Sequence, residues 1–80
     1  MVITNNFKII LGTFIRKKRK EKGLTQSDLA ARLGNNYQNI SRLECGETSP
    51  TLEWCFKLAK ALDLTIEEFV AELVRFQKGK

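Results

Sequence analysis

The sequence predicts an all-α fold, a compact five-helix bundle, and two observations carry that prediction. Five segments of the 80-residue chain place apolar side chains at three-four spacing, the period of a helix with one buried face. Between them stand Thr, Asn and Gly residues of the kind that start and stop helices, with a single proline in the whole chain. Hydrophobic residues make up 42% and charged residues 29%, an ordinary globular balance that argues against disorder along the whole chain. Eighty residues are expected to form one small domain spanning 1–80, with a core over about residues 7–76.

The first helix is expected from about Phe7 to Lys22. Phe7, Ile10, Leu11, Phe14, Ile15 and Lys18 share one stripe, and Gly23 stops it. The second is short. Thr25 is its N-cap, Asp28 completes a shortened capping box, Leu29, Ala30 and Leu33 face inward, and Gly34 ends it. The third runs from about Tyr37 to Glu44 behind the N-cap Asn36, with Ile40 and Leu43 inward and Gly46 at its end. After the loop Glu47-Thr48-Ser49-Pro50, Thr51 caps the fourth. Its stripe is Leu52, Cys55, Ala59 and Leu62, widened by Phe56 and Leu58. The fifth is capped by Thr65 and Glu68, with Ile66, Phe69, Val70, Leu73 and Val74 inward, and the tail from Gln77 to Lys80 is expected to fray.

Charge narrows the partners. Residues 1–22 hold seven basic side chains and one acidic, a balance of +6, while residues 23–80 hold seven basic and eight acidic. A basic N-terminal third fits an anionic partner, nucleic acid first, or a solvated helix face. In the run Arg16-Lys17-Lys18-Arg19-Lys20 a helix cannot point all five side chains one way. No secretory signal is read: the apolar stretch from Phe7 to Ile15 is short, is broken by Lys8, and has its basic cluster on the wrong side. No apolar run approaches the roughly 20 residues of a membrane span.

Two cysteines make no disulfide framework, and no histidine is present to complete a metal site or serve as a general base. No nucleophile stands with a partner. The expectation is a cytoplasmic protein that is not an enzyme, with no cofactor, metal or small-molecule ligand. Cys45 is expected at the surface and Cys55 in the core. Trp54 points off the main stripe, and an interface position or partial burial against the fifth helix accounts for it equally.

The segment from Thr25 to Glu44 is the informative one. Two short helices joined by a tight turn at Gly34-Asn35, with the small Ala30 where they approach, are the physical recipe of a helix-turn-helix. With Ile40 and Leu43 defining the buried direction of the third helix, Gln38 points almost directly away from the core. Ser41 and Arg42 lie about 130° from that direction, and Tyr37 and Asn39 on the shoulders. Such a helix in a major groove offers Tyr37, Gln38, Ser41 and Arg42 to base edges. Arg suits guanine, and Gln both accepts from and donates to adenine.

The run Gly23-Leu24-Thr25-Gln26-Ser27-Asp28-Leu29-Ala30 resembles the opening of the motif in the phage-repressor and Cro-like (XRE-type) helix-turn-helix family. Ile40-Ser41-Arg42-Leu43-Glu44-Cys45-Gly46 resembles its continuation, and Pro50-Thr51-Leu52 with Leu58-Ala59-Lys60-Ala61-Leu62 its fourth helix. The resemblance covers about residues 11–70 and implies a lambda-repressor-like fold that binds double-stranded DNA. It implies that Gln26 contacts a phosphate and braces the third helix, and Asn36, Asn39, Thr48 and Ser49 are candidates for the same work. Glu47 departs from the family, whose members often carry a basic residue in that loop. The resemblance also implies an ion pair between Arg19 and Glu44, a carboxylate that the helix dipole disfavours in the last turn.

One unit offers about three base-reading side chains, too few for tight specific binding, so a homodimer on a palindromic operator is expected. Phe69, Val70, Leu73, Val74 and Phe76 supply apolar surface for a dimer through the fifth helix, unless all of it packs on the first. The expected function is transcriptional regulation, as a prophage repressor, a restriction-modification controller or a stress-response factor. The alternative is an antitoxin-like protein that holds a toxin and represses its own promoter.

Overall fold

Caps and glycines divide the chain into α1 (Phe7–Glu21), α2 (Gln26–Leu33), α3 (Tyr37–Glu44), α4 (Leu52–Ala61) and α5 (Ile66–Lys78). The computed structural model describes residues 6–79, and no strand occurs among them. Thr25 and Thr65 close full capping boxes with Asp28 and Glu68, while the side chains of Asn36 and Thr51 accept from Asn39 N and Trp54 N. Each cap satisfies an amide that the first helical turn leaves without a partner. Gly34 ends α2 in the left-handed conformation at φ 66°, which lets the chain turn within three residues into α3.

α1 packs against α3 and α5, α2 against α3 and α4, and α4 against α5. The shared interior is built from Leu11, Phe14 and Ile15 of α1, Leu29 and Ala30 of α2, Ile40 and Leu43 of α3, Leu58, Ala59 and Ala61 of α4 with Leu62 beyond its end, and Phe69 and Leu73 of α5. Phe14 lies at its centre. Its ring meets Phe69 edge-on at 5.5 Å and Phe76 at 5.6 Å, so aromatic packing ties α1 to α5.

Two expectations change. The inner face of α4 is Leu58, Ala59 and Ala61, while Leu52 is 72% and Phe56 51% exposed. The fully buried residues of this helix lie in its C-terminal half, and of its first turns only Trp54 and Cys55 pack partly against the core, so Leu52 and Phe56 stand outside. Trp54 is half-buried, packs against the core and also lines the cavity beside the loop after α3. α5 continues through Lys78, so Gln77 and Lys78 are helical, and Lys80 lies outside the described residues.

Candidate nucleic-acid interface

Ile40 and Leu43 are 0% and 3% exposed and anchor one side of α3 to the core. The other side presents Tyr37, Gln38, Asn39 and Arg42 as exposed side chains, with Ser41 half-buried. The Arg42 side chain makes no hydrogen bond or ion pair among the described residues, so its guanidinium is open to an external acceptor. A cavity of about 240 Å³ lies beside it, between α3 and the loop to α4, lined by Asn39, Arg42, Thr48, Ser49, Thr51 and Trp54.

The angle of α3 is fixed by one buried carboxylate. Arg19 Nε donates to Glu44 Oε2 at 2.6 Å and Nη2 to Oε1 at 3.0 Å, while Nη1 donates to the Leu24 carbonyl at 2.8 Å. Gln26 Nε2 donates to the same Glu44 Oε1 at 3.1 Å. The node therefore joins α1, the loop before α2, the first turn of α2 and the last turn of α3. Arg19 and Glu44 are only 8% and 9% exposed, and the hydrogen bonds to Glu44 push the Arg19 pKa above its ordinary value. Gln26 keeps its second amide hydrogen for another acceptor.

Asn36 and Asn39 are partly engaged. Asn36 Oδ1 accepts from Asn39 N at 3.1 Å, and Asn39 Nδ2 donates to Asn35 Oδ1 at 2.6 Å. Thr48 is exposed in the loop. The five apolar residues of α5 divide. Phe69 and Leu73, expected to face a partner, lie in the core at 1% and 5% exposed, because so small a chain needs them for its own interior. Phe76 is half-buried against Phe14 and Lys17, Val74 is half-buried, and Val70 is 45% exposed.

Sequence reasoning missed two residues that position the site. A Cβ on Gly12 of α1 would lie 2.3 Å from the Leu43 carbonyl oxygen and 2.7 Å from that of Glu44. Gly12 thus lets α1 meet the end of α3 backbone to backbone. Its signal was a glycine inside a helical pattern, which carries a penalty of about 1 kcal/mol against alanine unless packing demands it. Arg32 at the end of α2 donates to the Ala61 carbonyl at 2.8 Å and lies 3.5 Å from Asp63, holding α2 to α4. Only the exposed position of Arg32 was visible in the pattern.

Among the described residues no cluster of His, Cys, Asp or Glu could hold a metal ion, and no helix is long and apolar enough to cross a membrane.

Comparison with known proteins places this geometry. The helix-turn-helix family HTH_3 matches residues 15–69. The HTH-type transcriptional regulator y4dJ of Sinorhizobium fredii is 39% identical over 61 residues, which are 76% of this chain and 79% of that protein. The restriction-modification controller C.AhdI of Aeromonas hydrophila superposes with a TM-score of 0.71 at 33% identity, over 76% of this chain and 92% of its own. The controller C.Esp1396I, solved as a tetramer with its natural 35 base-pair operator, superposes with a TM-score of 0.81 at 27% identity, over 88% of this chain and 92% of its own. The chain belongs to the helix-turn-helix family of DNA-binding transcriptional regulators, a family of regulators and not of enzymes.

Proposed function

We propose that this regulator binds a two-fold-symmetric operator as a homodimer in the cytoplasm, with α3 in the major groove of each half-site. The observation that carries the reading is the exposed polar face of α3, held to the body by the buried Glu44 node. Gln38 and Arg42 read bases from its centre, with Tyr37 and Ser41 at its edges. The second amide hydrogen of Gln26, the amide of Asn36, Asn39 and the Thr48 hydroxyl meet phosphates and set the register.

The dimer seam follows from which flanks are occupied. α1 reaches α5 through Phe76 and Glu72, which leaves the other flank of α5 to α4. At 100° per residue, that flank carries Val70 and Val74. α2 reaches α4 near Ala61 and Lys57, so α5 takes the opposite flank of α4, where Leu52 and Phe56 lie. The exposed apolar residues of α4 and α5 thus converge on one junction, a patch suited to a second copy of the chain.

Selection of bound duplexes from a random pool tests the function. The expected product is a pair of inverted half-sites centred about one helical turn apart. Gln38→Ala or Arg42→Ala is expected to cost about 1–3 kcal/mol on the selected operator and little on random duplex. Enrichment of no sequence, or equal losses on both duplexes, would overturn base reading by α3.

A further inference from the structure

The seven basic residues of the N-terminal third are alike in charge and unlike in use. Arg19 is closed into the Glu44 node. Lys18 pairs with Glu72 of α5 and with Glu21 at 3.3 Å, and these carboxylates raise its pKa above the ordinary lysine value. Lys17 stands 5.6 Å from the centre of the Phe76 ring and 3.9 Å from Glu21. Lys22 lies 3.4 Å from Asp63. Lys8, Arg16 and Lys20 remain, all exposed and with side chains that make no hydrogen bond or ion pair among the described residues.

The division follows the two sides of α1. Its line of contact with α3 is marked by Gly12 against the Leu43 and Glu44 carbonyls, by Arg19 on Glu44, and by Ile9 against Gly46. Measured around the helix from Gly12, Lys8 and Arg16 lie about 40° to either side and Lys20 about 80°. Phe14, Lys17 and Lys18, which serve α5, lie about 140–240° away. Lys17 and Lys18 therefore hold α1 to α5, Lys22 reaches the turn before α5, and the unpartnered cations line the α3 side.

We propose that Lys8, Arg16 and Lys20 form a separate, sequence-independent contact row for the DNA sugar–phosphate backbone along the α3 side of α1. The proposal rests on the reading of α3 as the groove-bound helix. Arg16 and Lys20 stand four residues apart, about 6 Å along the helix axis, and repel each other, and neither has a carboxylate within ion-pair distance among the described residues. A row of phosphates relieves that repulsion. Arg19, between these cations on α1, shares Glu44 with Gln26 at the first turn of α2, so the row extends the proposed backbone contact of Gln26 outward from the groove.

The test is the salt dependence of DNA affinity for the full chain, on the selected operator and on random duplex, between about 50 and 200 mM salt. The double variant Arg16→Gln, Lys20→Gln is compared with Lys17→Gln. The double variant is expected to make the slope of log affinity against log salt shallower by about 2 per chain, near 0.9 for each phosphate lost. It weakens both duplexes by the same factor and leaves the melting temperature unchanged. Lys17→Gln leaves the slope unchanged. A steep slope in the parent that the double variant keeps overturns this proposal alone. A parent that binds no duplex overturns the functional reading and this proposal with it.

Discussion

Arg19 directs three nitrogens at two carboxylate oxygens and one carbonyl, all belonging to other parts of the chain. Removing it leaves the Glu44 carboxylate buried with only Gln26 as a donor. An uncompensated buried charge of this kind costs about 3–5 kcal/mol. At roughly 4–8 °C per kcal/mol for a domain of this size, Arg19→Ala is expected to lower the melting temperature by more than about 10 °C. Arg19→Lys restores only part of it, because an ammonium is a point charge and cannot span both oxygens as a planar guanidinium does. Thermal melts followed by circular dichroism check this; an Arg19→Ala protein that melts like the parent and loses only DNA affinity would show that the side chain serves phosphates instead. Gly12→Ala tests the neighbouring contact. Alanine gains about 1 kcal/mol of helix propensity, but its Cβ meets two backbone oxygens that cannot rotate away. Overpacking at about 3 kcal/mol outweighs that gain, for a net loss of about 2 kcal/mol. A Gly12→Ala protein as stable as the parent would mean that α1 and α3 separate freely.

At the scale of the element, local signals and packing signals part company. α2 and α3 were legible because Thr25, Gly34 and Asn36 act within a few residues of themselves, and their caps and turn form as the residue types require. The outward face of α3 was legible for the same reason, since Ile40 and Leu43 suffice to orient an eight-residue helix. α4 was misread because periodicity says which residues share a face but not how far the core extends beneath it, and here it ends short of Leu52 and Phe56. Gly12 was passed over because its partners are backbone atoms 31 and 32 residues away, which leave no trace in local pattern. The capping box of α2 gives the prediction for this scale. Thr25→Ala removes the oxygen that accepts from Asp28 N at 3.0 Å and is expected to cost about 1 kcal/mol. Asp28 returns the bond by accepting from Thr25 N, and the hydrogen bonds from the Thr25 backbone and side chain hold its pKa below the ordinary value. A depressed carboxylate stabilises the fold above its unfolded pKa near 3.9, and that contribution disappears as pH falls through the folded value. Asp28→Asn should therefore melt below the parent at pH 7 and converge with it in the acid limb; a constant gap between the two curves would remove the titration from the account.

For the whole molecule, the proposed homodimer bears on how about three base-reading side chains per chain would suffice for a specific regulator. The described residues span 31 × 24 × 22 Å. Two such bodies side by side can set their α3 helices about one turn of DNA apart, the 34–36 Å at which half-sites repeat. The proposed seam requires a surface that one chain leaves uncovered. Phe69 and Leu73 do not qualify, since the core already encloses them. Leu52, Phe56 and Val70 do, at 72%, 51% and 45% exposed. In a two-fold interface each substitution acts twice. Burying the exposed half of the Phe56 side chain contributes about 0.8–1.5 kcal/mol, so losing two weakens association by about tenfold or more. Phe56→Glu is accordingly expected to convert the dimer to monomer at micromolar concentration while leaving the fold intact, because Phe56 lies outside the core of its own chain. Operator affinity falls with it, while binding of one chain to an isolated half-site persists. Phe69→Glu should instead unfold the chain outright, since its ring packs edge-on against Phe14. Sedimentation of the parent and both variants separates the cases. A parent that stays monomeric at high micromolar concentration and forms no dimer on the operator would sink the seam, as would a Phe56→Glu protein that sediments as the parent does.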